Sequence, residues 1–421
     1  VHFEAREIPP VGYAVFVVDR TGKFADGGLV CGRYAMENEH IKVQINPNGT
    51  FDITHKAGGA VFDGLHYFED DGEAGMAWMH LAPAYDRVVA SLGSPVAIAL
   101  EENGPLLARY RIDYAMKIPA GLEENGGNPS QRRDGVGNAA RRSDETRDLA
   151  ITSYATLRKG SPALEVRTRF VNLAECHRLR VLFPTRSKAD VCSLESAFDV
   201  VERPILFGPD SPWRGSKSVT FPMQRFVDVS DGKTGLAVIN DGLREYEVTQ
   251  GTERAIAVTL LRAYEVALST VSKRWEPHPE MKGSQAFGEH EFRYLIYPHK
   301  GTWDEAYVFA LADRLMVDLV PAQTGRHAGE LPQRYSFAEL EGDAVQLSAL
   351  YRAADNGELI VRLFNPTARK QEAKLVFARP VRHAEVVSLE EKTESRLDAT
   401  GRSVRVRLGK KKILTLRVAL K

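Results

Sequence analysis

Fourteen residues, Gly288–Gly301 (GEHEFRYLIYPHKG), hold two histidines, two glutamates and three aromatic rings. Imidazole and carboxylate side by side are the parts of general acid–base chemistry. His290 is flanked by Glu289 and Glu291, but neighbouring strand residues point to opposite faces, so those pairs do not share a site directly. A metal reading fares no better. His290 and His299 are nine apart, His55 and His66 eleven, and no pair has the i, i+2 strand or i, i+4 helix spacing that aims two imidazoles at one ion. The segment therefore reads as a structural strand. Its two faces are His290, Phe292, Tyr294 and Ile296 against Glu291, Arg293, Leu295 and Tyr297. Pro298 is expected to stop its ladder, and both histidines to be satisfied by local hydrogen bonds.

Two other stretches could hold a ligand. In Phe68–Trp78 (FEDDGEAGMAW), Asp70, Asp71 and Glu73 crowd around Gly72. One reading is a solvated turn whose carboxylates accept backbone N–H bonds. Too few oxygens alternate for a calcium loop. The other reading is a sugar site in which Trp78 stacks on the ring and Asp71 binds hydroxyls; Trp78 is equally at home in a core. In Gln224–Val248 (QRFVDVSDGKTGLAVINDGLREYEV), Asn240, Asp241 and Arg244 follow an apolar strand pattern, in a turn of the kind that carries function. A plain Asn-Asp-Gly turn with surface charges explains them too. The chain lacks a phosphate-cradling glycine loop, a Gly-x-Ser-x-Gly elbow and a His-Glu-x-x-His pair.

These residues need strands to position them. The dominant period is two: PALEVRTRFVN places Leu164, Val166, Thr168 and Phe170 on one face, and HIKVQIN and SVRVRLG alternate likewise. GELIVRLFNP is apolar on both faces and reads as an inner strand. Turns at Asn46–Gly49 and Ser230–Gly235 separate paired strands. One helix is expected in TWDEAYVFALADRLM, with Thr302 and Glu305 as a capping box. Residues 120–148 are polar, Gly/Asn-rich and Arg-heavy, either a surface loop or an arm toward a partner. The organisation expected is a linker and opening strands of a small β domain over 1–32, a large sandwich over 33–317, a linker over 318–332 and a C-terminal β-sandwich over 333–421.

With 421 residues there is room for two or three domains, and 56 basic residues balance 56 acidic ones. That neutrality gives no electrostatic case for nucleic acid, and no apolar run reaches the ~20 residues of a membrane helix. The three cysteines, Cys31, Cys176 and Cys192, are too few and scattered for a disulfide framework. The sequence opens at Val1 and reads as the middle of something longer.

Taken together and in order, IPPVGYAVFVV, MENEHIKVQINPNGTFDITHKAGG, FEDDGEAGMAW, the Gln224–Val248 stretch, TLLRAYEVAL, GEHEFRYLIYPHKG and LIVRLFNPT resemble the C-terminal, all-β half of a glycoside hydrolase family 38 α-mannosidase, with GLREYEV closest to bacterial, mannosylglycerate-hydrolase-like members. The resemblance implies an all-β fold: a large antiparallel β-supersandwich like that of galactose mutarotases plus a smaller C-terminal β-sandwich. It implies a retaining, zinc-dependent hydrolysis of α-mannosides, with nucleophile and zinc ligands in an N-terminal barrel that no block here matches. No catalytic or metal residue is therefore carried onto this chain, and zinc is expected only in the full-length enzyme. The implied partners are an α-mannoside or mannosylglycerate-type substrate and the catalytic domain, with self-association compatible and a bacterial cytoplasmic location expected. Glu73, Met76 and Trp78 stand where the family usually has Asp and Tyr, which weakens a substrate role for the acidic stretch. The alternatives are a carbohydrate-binding or scaffold module, and a mutarotase using His290.

Overall fold

The computed structural model describes residues 3–18, 26–75, 77, 80–123, 140–208, 219–266, 278 and 280–421. Its chain divides into two compact units, one made of residues 25–194 and 202–308, the other of 1–24, 195–201 and 309–421. Strands dominate both, and among the described residues the principal ladders are antiparallel.

The larger unit is built on a nine-stranded, a six-stranded and a five-stranded sheet. In the nine-stranded sheet Gly288–Lys300 lies between Thr234–Asn240 and Leu164–Asn172, followed outward by Thr146–Arg158, Leu107–Pro119 and Val96–Asn103. The six-stranded sheet runs Phe221–Pro222, Glu245–Val248, Ile256–Arg262, His177–Phe183, Tyr67–Gly72 and Val89–Ala90. The five-stranded sheet includes Ile41–Ile45 and Phe51–His55, joined by the expected Asn46–Gly49 turn. Gly49 is obligatory there. Its φ is +85°, and a Cβ would lie 2.3 Å from the Tyr114 ring.

Alternation in Leu164–Asn172 buries Leu164, Val166, Thr168 and Phe170 as the period requires. Thr168 is tolerated inside because it joins a polar chain through the core. Ser153 and Thr168 hydroxyls are 2.9 Å apart, Thr168 and Tyr294 hydroxyls 2.7 Å, Tyr294 and His66 Nε2 2.8 Å, and His66 Nδ1 and the Tyr114 hydroxyl 3.3 Å. The Tyr114 hydroxyl donates to the Gly49 carbonyl at 2.7 Å. Complete burial lowers the His66 pKa to about 3, so the ring is neutral. Phe51 stacks on His66 at 4.6 Å between centroids, and Phe68 and Phe183 close around it.

The smaller unit contains the sandwich expected at the C-terminus. A four-stranded sheet (Ala338–Glu341, Gln371–Phe377, Ser403–Leu408, Ala399–Thr400) faces a five-stranded one, in which Leu359–Phe364 is an inner strand between Gln346–Arg352 and Ile413–Leu420. Leu363, Leu375, Phe377, Val404 and Leu416 fill the space between.

Three expectations change. Pro298 does not stop its strand, which pairs with Thr234–Asn240 through Lys300. The ladder on the other side ends at Ile296, so beyond it the strand is paired on one side only and a missing N–H is tolerated. The Glu305 carboxylate accepts the Thr302 N–H at 3.0 Å as a capping box would, but the regular helix starts only at Val308, after Tyr307 takes left-handed backbone (φ 53°). The acidic run at Asp70 and Asp71 is not a solvated turn. It ends the Tyr67–Gly72 strand, and both side chains are buried.

His290 Nε2 bonds the Ala286 carbonyl at 2.7 Å, and His299 Nε2 bonds Asp228 at 2.7 Å. Burial pushes the Asp228 carboxyl up, against the downward pull of His299. A raised carboxyl contributes stability at low pH that is lost as pH rises through the folded-state value. Asp228→Asn should therefore raise the melting temperature at pH 8 and leave it nearly unchanged at pH 4, as calorimetry at both pH values would show. Tyr294→Phe, which strands both Thr168 and His66, should cost about 1–3 kcal/mol by urea denaturation.

Candidate functional site

The acidic strand is the place to build from. Opposite Tyr67–Gly72 runs His177–Phe183, in register His177↔Gly72, Arg178↔Asp71 and Arg180↔Glu69. Arg178 and Arg180 therefore project on the same face as Glu69 and Asp71, because side chains two apart share a face. His177 and Asp70 project on the other face.

On the first face Arg178 holds Asp71 with two nitrogens, Nε at 3.0 Å and Nη2 at 2.5 Å. Burial alone would raise the Asp71 carboxyl. The hydrogen bond and charge of Arg178, with Arg180 and His80, outweigh it and hold Asp71 below the usual carboxylate range. Arg180 bridges Glu69 and Glu247, the latter at 2.7 Å. Burial works against its charge, but Asp71, Glu69 and Glu247 drive its pKa higher still. Arg262, at the end of the neighbouring strand, sits 2.9 Å from Glu73 and 3.1 Å from Glu245. His80 Nδ1 meets Glu73 at 2.8 Å, and its Nε2 is 3.8 Å from Asp71.

On the second face Arg142 donates to Asp70 through its carboxylate and its carbonyl, and to the Arg87 carbonyl at 3.1 Å. His177 Nδ1 is 2.5 Å from the other Asp70 oxygen. Gly72 makes room for this: a Cβ there would lie 2.6 Å from Pro83 and 3.2 Å from Arg142.

Two loops are fixed by these pairs. Glu73 Oε1 accepts the N–H groups of Gly75 (2.7 Å) and Leu81 (3.1 Å), closing the turn after the strand. Arg142 belongs to the returning limb of the 120–148 segment, whose base is clamped where Glu123 accepts Ser143 at 2.8 Å and Arg141 at 2.6 Å. The middle of that segment, 124–139, lies outside the described residues, as does Trp78.

Of the residues singled out beforehand, Asp71 is fully engaged by Arg178. Asn240 is buried and caps its own turn, accepting from Gly242 at 3.0 Å and Leu243 at 2.7 Å. Asp241 is half-buried and pairs with Arg293 at 3.0 Å. Arg244 is exposed and donates to the Gln224 carbonyl at 2.5 Å. Their turn carries the chain from the nine-stranded to the six-stranded sheet, where Glu245 and Glu247 enter the charged network. Arg262 thus ties this stretch to the acidic one through Glu245 and Glu73.

Sequence reasoning did not find His80, Arg142, His177, Arg178, Arg180 or Arg262. A signal existed. HRLRVLF is buried at all seven positions, and arginines two apart in such a run must meet carboxylates. Among the described residues, no three His, Cys, Asp or Glu side chains are grouped to hold a metal.

Residues 36–266 match the family model described as "Glycosyl hydrolases family 38 C-terminal domain", and residues 344–416 match "Glycosyl hydrolases family 38 C-terminal beta sandwich domain". The chain belongs to glycoside hydrolase family 38. It is 31% identical to the "Putative mannosylglycerate hydrolase" of Halalkalibacterium halodurans, over 81% of this chain and 37% of that protein. It is 25% identical to human "Alpha-mannosidase 2C1", over 61% of this chain and 23% of that protein. A solved alpha-mannosidase from Enterococcus faecalis superposes with a TM-score of 0.83 at 28% identity, covering 94% of this chain and 43% of that one. The chain thus spans about two fifths or less of the relatives it matches, and what it shares with family 38 is the C-terminal β region.

Arg178→Met should cost about 3–5 kcal/mol, because it strips the buried Asp71 carboxylate of both guanidinium hydrogen bonds. The double variant Asp71→Leu/Arg178→Met should recover most of that loss, with urea midpoints of the four proteins closing the cycle.

Proposed function

We propose that this chain is the β-domain portion of a retaining α-mannosidase acting on α-mannosides, with mannosylglycerate-type compounds in the substrate class. It supports a catalytic barrel, and its loops complete the substrate pocket. The observation that carries this reading is the match of family 38 C-terminal models over residues 36–266 and 344–416, continued by likeness to an alpha-mannosidase along 94% of the chain.

The charged network supports a positioning role. Its carboxylates are committed to guanidinium and imidazole partners, so they hold loops in place and are poor candidates for nucleophile or acid. Retention needs two free carboxyl groups about 5 Å apart, flanking the scissile bond. On this reading those groups, and the zinc that would supply Lewis-acid help to the substrate, belong to the barrel. Asp241 and Arg244, at the surface of the turn between the two sheets, and Trp78 are the residues proposed to reach the sugar.

The purified chain should release no aryl alcohol from an aryl α-mannoside, with or without added zinc. Turnover by the chain alone, abolished by a chelator, would overturn the division of labour. In an enzyme that joins this chain to its barrel, Asp241→Ala and Arg244→Ala should raise KM several-fold, the size expected from losing one polar contact, and leave kcat nearly unchanged.

A further inference from the structure

The outer face of the nine-stranded sheet carries a cleft that the proposed glycosidase reading does not use. It has a volume of about 190 Å³ and belongs to the larger unit. The strands Leu107–Pro119, Thr146–Arg158, Leu164–Asn172 and Gly288–Lys300 lie side by side beneath it. Alternate residues of these strands fill the core, so the residues between them point outward. The register puts Arg109, Thr156 and Glu165 in one outward row, Tyr154, Arg167 and Arg293 in the next, and Arg169 and Glu291 in a third.

Stability does not explain the two arginines of the Leu164–Asn172 strand. Arg167 stands directly opposite Arg293 on the adjacent strand, and like charges so placed are destabilising. Asp241 answers Arg293 at 3.0 Å, but Glu291 stays 3.7 Å from Arg167, too far for a hydrogen bond. Arg169 faces Glu291 in the register, yet among the described residues no carboxylate forms an ion pair with it. It donates instead to the Tyr154 hydroxyl at 2.5 Å, with its guanidinium over a Tyr154 ring whose centroid is 5.1 Å away. Both arginines are exposed. Two guanidinium forks, two residues apart on one strand, thus open toward the same cleft with N–H donors that no acceptor takes among the described residues.

The walls limit what can enter. Arg109 Nε donates to Thr156 Oγ1 at 3.1 Å and closes the floor, so that Thr156 is only 3% exposed although it points outward. Glu165 and Glu291 line the same cleft. Their carboxylates repel a polyanion but accept hydroxyl groups. The occupant that fits has one oxyanion group for the arginine pair, hydroxyls for the carboxylates, and a body small enough for the volume. We propose that this cleft binds a small hydroxylated oxyanion, a carboxylate or phosphate ester the size of one sugar. Arg167 and Arg169 grip the oxyanion, and Tyr154 positions Arg169.

Titration calorimetry of the purified chain with gluconate, glucose 6-phosphate and glucose tests the site. At least one of the two anions should bind with a Kd of about 1 mM or tighter, as a ligand of this size allows, and the one that binds identifies the oxyanion. Neutral glucose should not bind in that range. Arg167→Gln and Arg169→Gln should each weaken binding about tenfold or more, the effect of losing one charge-assisted hydrogen bond. Lys117→Gln, which removes an exposed cation farther along the same face, should leave it unchanged. Urea denaturation checks the fold of the same samples. Arg167→Gln should keep or raise the midpoint, because it relieves the opposition to Arg293 and loses only a loose surface pair with Glu291. A lowered midpoint would assign Arg167 to the fold and overturn its role as a binding residue. No saturable binding of either anion up to about 10 mM, equal binding of glucose, or undiminished binding in both arginine variants would overturn the site. No readout involves mannoside turnover, so failure here leaves the proposed function standing, and the reverse holds.

Discussion

Removing a charge from water costs several kcal/mol even after a partner is found. The Asp71–Arg178 pair sets that constraint here. Once Arg178 is fully buried in the His177–Phe183 strand, a carboxylate must stand opposite it, and the antiparallel register supplies Asp71. The strand's twofold period then brings Glu69 opposite Arg180 and sets Asp70 on the far face. From there the demand spreads. Glu247 is drawn to Arg180, Glu73 and Glu245 to Arg262, and Arg142 is recruited from a distant segment to answer Asp70. Loops that would otherwise be tethered only by backbone bonds become fixed by charge.

This arrangement explains which parts of the molecule could be read in advance. Strands such as Leu164–Asn172 and Ser403–Leu408 alternate cleanly because each hides one face more deeply than the other. Alternation is the direct imprint of such one-sided burial. The hairpins at Asn46–Gly49 and Ser230–Gly235 were legible because positive φ restricts residue choice. The ordered family-like blocks added the fold class and the division into a large and a small sandwich.

The candidate site was legible in location but not in character. Asp70, Asp71 and Glu73 stood out, yet clustered carboxylates look the same in a sequence whether they are wet or buried. What distinguishes them is the identity of the residues opposite, and those lie about 107 positions away at His177 and Arg178 or 72 away at Arg142. Local pattern contains no register between distant strands. Pro298 misled for a related reason: whether a proline ends a strand depends on which neighbour is still paired there, and that is a property of the sheet. The late helix start reflects backbone conformation at Tyr307, which its residue type does not announce.

The hydroxyl chain in the core has a polarity that its distances alone do not state. The Gly49 carbonyl can only accept, so Tyr114 spends its single proton there. Tyr114 must then receive one from His66 Nδ1, which leaves Nε2 as a lone pair on a neutral ring. Tyr294 is thereby obliged to give its proton to His66, Thr168 to Tyr294, and Ser153 to Thr168. A tight turn on one sheet thus dictates the tautomer of a buried ring and the orientation of four hydroxyls. The core behaves as a one-way wire whose direction is decided by a single peptide carbonyl.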